Sequence, residues 1–122
     1  MLAYVCIGTN DLPRATRFYD QLLAPLGATH VWETDTFVAF GNDPKAPLLL
    51  LIKPYDGNPA TVGNGTMVTL ATSSKAQVDT VHQKALELGG KDEGAAGPRS
   101  DGFYAGYFRD LEGNKLAVCF IG

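Results

Sequence analysis

One order of local patterns is written twice along this chain, and that repeat constrains the fold more than any single motif does. In the first copy, Leu2 to Gly8 is apolar and partly β-branched, the pattern of a buried strand. Thr9-Asn10-Asp11 then offers capping oxygens, and Pro13 suits a first helical turn, where its missing N–H costs nothing. Leu12, Ala15, Phe18, Tyr19, Leu22, Leu23 and Leu26 fall on one stripe of that helix, which Pro25 and Gly27 end. Thr29 to Glu33, Thr36 to Phe40 and Leu48 to Lys53 read as strands, the last after an Asn42-Asp43-Pro44 turn.

A loop rich in Pro, Gly, Asn and Asp runs from Pro54 to Gly65, and the order then restarts. Thr66 to Ala71 is a strand. Ser74 opens a helix, with Gln77 placed for a capping box. Val78, Val81, Ala85 and Leu88 mark its buried stripe, and Gly89-Gly90 ends it. Lys91 to Pro98 is Gly-rich and reads as weak strand or loop. Phe103 to Arg109 and Lys115 to Ile121 are strands joined by the turn chemistry of Asp110-Leu111-Glu112-Gly113-Asn114. The residues from Gly97 to Gly106 read as a Gly-rich loop placed to close over a ligand.

Each copy, at about 60 residues, is one strand–helix–three-strand unit that buries a sheet face against its own helix. Two copies are too few for a solenoid. At 122 residues and 45% hydrophobic, the chain can build a core without disulfide staples. Its 10 basic and 13 acidic side chains include no basic run, which argues against nucleic acid as a partner. The longest apolar stretch, Leu48 to Ile52, is far short of a membrane span. With no basic segment at the N-terminus, a cytoplasmic location is expected. Cys6 and Cys119 stand alone in apolar runs and form neither a disulfide framework nor a metal-binding pair. No G-x-S-x-G, P-loop or dinucleotide-binding glycine motif is present.

Three segments, in this order, resemble the vicinal-oxygen-chelate superfamily, also described as glyoxalase/bleomycin-resistance/dioxygenase-like. They are Tyr4-Val5-Cys6-Ile7-Gly8-Thr9-Asn10-Asp11-Leu12 with Ala15 and Phe18-Tyr19, then Gly65-Thr66-Met67-Val68-Thr69-Leu70, then Tyr107-Phe108-Arg109-Asp110-Leu111-Glu112-Gly113-Asn114-Lys115-Leu116. The resemblance covers essentially the whole chain. It implies an α+β fold, with two βαβββ modules edge to edge forming a curled mixed sheet with a cleft, and helices on the convex side. Residues 1–122 are then one domain, with module 1 at about 1–60 and module 2 at about 64–122. It also implies a homodimer and a small molecule held in the cleft.

In metal-dependent members of that superfamily, His or Gln, Glu, His and Glu on the first and last strands of the modules bind a divalent ion. The matching positions here are Tyr4, Leu50, Met67 and Ala117. Leu and Ala supply no donor, a Met thioether is soft, and one phenol does not hold an ion. The usual metal site is therefore expected to be absent and no cofactor is predicted, unless Glu33 or a partner chain supplies a ligand.

Strand alternation then sorts the remaining residues. With Ala117 facing the cleft, Lys115, Cys119, Met67, Thr69, Tyr4 and Cys6 face it too, while Leu116, Val118, Val68, Leu70, Val5 and Ile7 face the helices. Trp32 and Phe37 suit one wall, and Tyr104 or Tyr107 another, and any of these aromatics equally suits a core. Arg99 lies on the Gly97–Gly106 segment. Lys115, Tyr104 and Cys119 are the candidates for metal-free catalysis, with a solvated Lys and a buried structural thiol as the plainer readings. The favoured function is metal-free binding of a small apolar or aromatic molecule. The alternatives are a lyase, isomerase or dioxygenase with a shifted metal site or metal-free chemistry, and an interaction module with a filled cleft.

Overall fold

Asp11 is where the first helix becomes possible: its Oδ1 accepts the Arg14 backbone N–H at 3.0 Å. In the computed structural model, which describes Met1–Gly122, strand β1 (Tyr4–Gly8) leads into this cap and helix α1 (Leu12–Leu23) follows it. A 3₁₀ turn, Ala24–Leu26, ends in Gly27 at φ +72°, the left-handed conformation that glycine adopts without strain. Strands β2 (Thr29–Glu33), β3 (Phe37–Gly41) and β4 (Leu48–Ile52) complete the first compact unit, Met1–Thr61. The sheet order is β1-β4-β3-β2, with β1 and β4 parallel and the other pairs antiparallel. Asn10 ties the segment after β4 back to the β1–α1 corner. Its Nδ2 donates to the Ala60 carbonyl, and its Oδ1 accepts the Ala60 N–H.

The stripe expected on α1 is buried from Leu12 through Leu23, but no residue of the 3₁₀ turn is buried, so Leu26 lies outside it. Pairing shows which sheet face the helix covers. Leu49, Phe40 and His30 form one row across the strands, and Ile7, Leu51 and Val38 another. Phe40 lies 6.4 Å from the Tyr19 ring of α1, and His30 reaches Asp20 of α1. Tyr4, Cys6, Leu50, Ala39, Trp32 and Phe37 occupy the opposite face by the same register. A bulge between His30 and Trp32 adds Val31 to that face, beside Gly41.

The second unit, Val62–Gly122, repeats the plan with β5 (Val68–Ala71), α2 (Lys75–Glu87), β6 (Lys91–Ser100), β7 (Phe103–Arg109) and β8 (Lys115–Ile121). Its sheet order is β5-β8-β7-β6, with β5 and β8 parallel. Ser74 Oγ accepts the Gln77 N–H, while Gln77 reaches back to Ser73 rather than to Ser74. Val78, Val81, His82 and Ala85 are the buried stripe of α2. The β7–β8 turn is built on Asp110. Its carboxylate accepts the N–H groups of Glu112 and Asn114 and the Asn114 side-chain amide, with Gly113 at φ +92°.

Two expectations change here. Lys91 to Ser100 is one continuous strand, although its pairing with β7 shifts register three times. The segment Gly97 to Gly106 is accordingly not a closing loop but a β-hairpin around Asp101-Gly102, with Gly102 at φ +73°. The glycines of β6 are places where neighbouring side chains lie across the strand. A Cβ on Gly94 would sit 3.1 Å from the Tyr107 ring.

Two predictions follow from this packing. A Cβ on Gly106 would lie 2.9 Å from Cδ2 of His82, a buried ring held by the Asp92 carboxylate and the Tyr107 carbonyl. Gly106→Ala is expected to lower unfolding free energy by about 1–3 kcal/mol in urea denaturation; an unchanged midpoint would contradict this packing. In the first unit both ring nitrogens of His30 face carboxylates, Nε2 at Asp20 (2.5 Å) and Nδ1 at Glu33 (3.0 Å). Carboxylates only accept, so this arrangement suits the imidazolium. Burial alone would lower the His30 pKa, but the two hydrogen bonds and the two negative charges raise it. A raised folded-state pKa contributes stability that is fully present below the unfolded value and is lost as pH rises through the folded one. Denaturation midpoints across pH 5–9 should fall through that window, and His30→Gln should flatten the fall.

Candidate functional site

Each module has one sheet face that its own helix does not cover, and the chemically distinctive residues collect on that of the second. One row across its sheet runs Thr69, Ala117, Tyr107, Gly94, and the next holds Arg109 opposite Lys115. Two cations approach one ring here. The Arg99 guanidinium carbon lies 5.3 Å from the Tyr107 ring centroid and the Lys115 Nζ 5.8 Å from it. Arg99 is held in place by the carbonyls of its own strand, with Nη1 donating to Gly97 at 3.1 Å and Nη2 to Ala95. Gly94 leaves room for this arrangement, since a Cβ there would meet both the Tyr107 ring and Arg99 Nη2.

Arg109 is engaged differently. Its Nε donates to Glu93 at 2.6 Å and its Nη1 to the Gly113 carbonyl at 3.0 Å. The Arg109 hydrogen bond holds the Glu93 carboxyl below its ordinary range despite opposing desolvation, and the charges of Arg109, Lys91 and Lys115 add to it. Arg99 and Lys115 have no such partner within ion-pair distance.

The uncovered face of the first module is apolar throughout. Trp32 stands edge-on to Phe37 with centroids 5.1 Å apart. Trp32, Tyr4 and Val31 remain 65%, 57% and 53% exposed, above a buried floor of Leu50 and Ala39. So large a group of exposed apolar side chains commonly marks a contact surface.

Of the residues singled out from sequence, Tyr4, Leu50, Trp32 and Phe37 share the uncovered face of the first sheet. Thr69, Tyr107, Lys115, Ala117 and Cys119 share that of the second, with Arg99 over Tyr107. Met67 immediately precedes β5 and is partly exposed. Tyr104 lies on the other face of the second sheet. Its hydroxyl donates to Asp79 of α2 at 2.6 Å, and Lys75 Nζ stands over its ring. The hydrogen bond to Asp79, with burial and the Asp79 charge, pushes the phenol pKa up. Burial pushes both the Cys119 and the Cys6 thiols up as well. Both shifts disfavour the thiolate, and the Tyr104 hydroxyl is engaged as a donor to Asp79.

Arg109 and Glu93 were not among the sequence candidates. Arg109 was within reach, because the hairpin pairs it with Lys115 and alternation from Ala117 puts both on one face. Glu93 was not, because it sits at a register shift between Asp92 and Gly94, where alternation fails. Arg99 also borders a hollow of about 650 Å³ at the β6–β7 turn, lined by Lys75, Asp101, Phe103 and Gly122 among others.

Tyr4, Leu50, Met67 and Ala117, the positions that the sequence resemblance matched to a metal site, carry a phenol, a thioether and two hydrocarbon side chains. That donor set does not fit a divalent Zn, Mn, Ni or Fe ion. Both histidines are engaged on the helix-covered sides, His30 by Asp20 and Glu33 and His82 by Asp92. Glu33 is thereby held to His30 and is not turned to the uncovered face. No three His, Cys, Asp or Glu side chains gather where they could hold an ion.

Comparison with known proteins agrees with this architecture. Residues 1–118 match the model of the Glyoxalase/Bleomycin resistance protein/Dioxygenase superfamily. No functionally curated protein matches the chain. A glyoxalase/bleomycin resistance protein from Albidiferax ferrireducens T118 is 31% identical, with a TM-score of 0.88 over 98% of this chain and 97% of that one. Lactoylglutathione lyase from Agrobacterium tumefaciens is 23% identical, with a TM-score of 0.69 over 98% of this chain and 92% of that one. A glyoxalase/bleomycin resistance protein/dioxygenase family enzyme from Burkholderia phytofirmans PsJN is 17% identical, with a TM-score of 0.78 over 98% of each chain. The latter two likenesses speak to the fold alone. No helix is long and apolar enough to cross a membrane. With the repeated βαβββ plan, the nearly full-length family match and the 31% identical structure in agreement, this chain belongs to the glyoxalase/bleomycin resistance protein/dioxygenase superfamily.

Proposed function

We propose that this protein binds a small apolar or aromatic molecule on the uncovered faces of its sheets, without a metal ion and without turnover. What supports the reading is the chemistry of Tyr4, Leu50, Met67 and Ala117, the positions matched by resemblance to the family's ligand set, together with the exposed apolar side chains of the first module. A Lewis-acid site needs imidazole or carboxylate donors at about 2.0–2.3 Å, and Leu and Ala have none to offer. The candidate metal-free groups fare no better. The Cys119 thiol is pushed away from its thiolate, and Tyr104 is committed to Asp79. Burial of exposed apolar area at about 25 cal/mol per Å², oriented by a few polar groups, is enough to hold a small ligand.

The 31% identical structure is described as a glyoxalase/bleomycin resistance protein, a description that spans both sequestration and catalysis. The lyase, isomerase or dioxygenase reading would draw on the latter. The donor set favours the former. The exposure of Tyr4, Val31 and Trp32 also supports a homodimer, in which a second copy covers apolar surface that the ligand does not.

Protein dialysed against Zn, Mn or Ni and then freed of loose metal should retain far less than one equivalent by elemental analysis. One equivalent retained per chain would sink the metal-free reading. Trp32 is the one tryptophan of the chain, so its emission reports ligand arrival at the first module. A panel of aromatic and apolar small molecules should include compounds that shift this emission saturably. Assays with the methylglyoxal–glutathione adduct and with catechols should show no turnover; turnover of either would move the protein to the enzyme reading.

A further inference from the structure

The segment between β4 and β5 contains an exposed turn in which the Thr66 N–H donates to the Gly63 carbonyl at 3.0 Å. Asn64 and Gly65 are its two central residues. We infer that Asn64-Gly65 is a modification site, where the folded chain deamidates by itself to aspartate and isoaspartate.

The structure sets Asn64 apart from the other asparagines of the chain, Asn10, Asn42, Asn58 and Asn114. Each of those four amides is held. Asn10 bonds both the N–H and the carbonyl of Ala60, and Asn42 donates to the Leu26 carbonyl. Asn58 donates to the Asp56 carboxylate, and the buried Asn114 to that of Asp110. The Asn64 side chain makes no hydrogen bond, and the Gly65 backbone N–H has no acceptor. Both are exposed to solvent.

The following residue matters because its backbone nitrogen is the nucleophile. Only Asn64 precedes a glycine. Gly65 has no Cβ to crowd the approach, and its φ of +95° lies where glycine moves freely. Asn10 and Asn42 precede aspartates, Asn114 precedes a lysine, and Asn58 precedes Pro59, whose nitrogen carries no proton to lose. Asp56 and Asp101 also precede glycines, but at neutral pH an ionised carboxylate is a poor electrophile.

The chemistry needs only water. The Gly65 nitrogen loses its proton to solvent base and bonds to Cγ of Asn64. The Cγ–Nδ2 bond breaks, Nδ2 takes up a proton, and ammonia leaves a five-membered succinimide. Water then opens the ring at one of its two carbonyls. Cleavage of the new Cγ–N bond gives aspartate, and cleavage of the original peptide bond gives isoaspartate. Either product adds a negative charge to a chain that already has 13 acidic against 10 basic side chains. In the isoaspartyl form the backbone runs through Cβ. An extra carbon then enters the turn that the Thr66–Gly63 hydrogen bond closes, just before β5 starts at Val68.

The test ages the full chain in mildly alkaline buffer at body temperature, natively and unfolded in guanidinium chloride. Isoelectric focusing follows the acidic form. Peptide mapping at mildly acidic pH, with electron-transfer fragmentation, separates isoaspartate from aspartate. In the native chain Asn64 should convert first, giving both products, with the other four asparagines at less than about a tenth of its rate. A turn closed by one exposed hydrogen bond opens readily, so the native rate at Asn64 should lie within about ten-fold of the unfolded rate. Asn64→Gln should remove the early acidic band, and fresh Asn64→Asp should focus where that band does. The assignment is overturned if Asn64 in the native chain is protected beyond that ten-fold, or if another asparagine keeps pace with it. Aspartate without isoaspartate would exclude the cyclic route, and an acidic band that persists in Asn64→Gln would place the modification elsewhere.

Discussion

Each module of this chain sets one helix against four strands, so its own helix covers only one face of its sheet. The parallel pairing of first and last strands makes this arrangement possible. It brings β1 beside β4 and β5 beside β8, with the helix crossing over the same face both times. Packing on that face is dense, and Leu22, Val78, Val81, Leu116 and Val118 are fully buried. The other faces mix buried residues, Ala39, Leu50, Ala117 and Cys119, with exposed ones such as Tyr4, Val31, Trp32 and Thr69. There the two modules differ: the first offers aromatic and aliphatic groups, the second a tyrosine among cations.

The strict two-residue period of strands made much of this legible beforehand. Val5 and Ile7 against Tyr4 and Cys6, and Val68 and Leu70 against Thr69 and Ala71, separate in burial as alternation requires. The same period separates Tyr104 from Tyr107. They are three residues apart on β7 and so on opposite faces, although either had been assigned to the same wall. Legibility failed where the period itself is broken. The bulge at His30–Trp32 brings Val31 to the uncovered face, and the shift at Asp92–Gly94 brings Glu93 to Arg109. Glycine misled as well. In β6 it marks places where side chains lie across a strand, whereas composition alone read it as loop.

Electrostatics on the second module follow from which cations find carboxylates. Arg109 and Glu93 neutralise one another at 2.6 Å, and their pair is partly exposed and contributes little to stability by itself. The charges of Lys91 and Lys115 act on the same Glu93 carboxylate without bonding to it. Arg99 is drawn instead to carbonyl oxygens, which orient it without cancelling its charge. Arg99 and Lys115 then both stand within about 6 Å of the Tyr107 ring centroid, at 5.3 and 5.8 Å.

Catalysis asks for a group whose protonation can change near neutral pH, or for an ion that supplies the same electrophilic strength. The uncovered faces carry Cys6 and Cys119, thiols whose pKa burial pushes up, and hydrocarbon side chains at Leu50 and Ala117. The groups with the strongest electrostatic partners sit elsewhere. His30, His82 and Tyr104 are all bonded to carboxylates on the helix-covered sides, where they hold helix to sheet. Those three groups thus serve the architecture, while the uncovered faces present apolar side chains on the first module and Tyr107 with Arg99, Arg109 and Lys115 on the second.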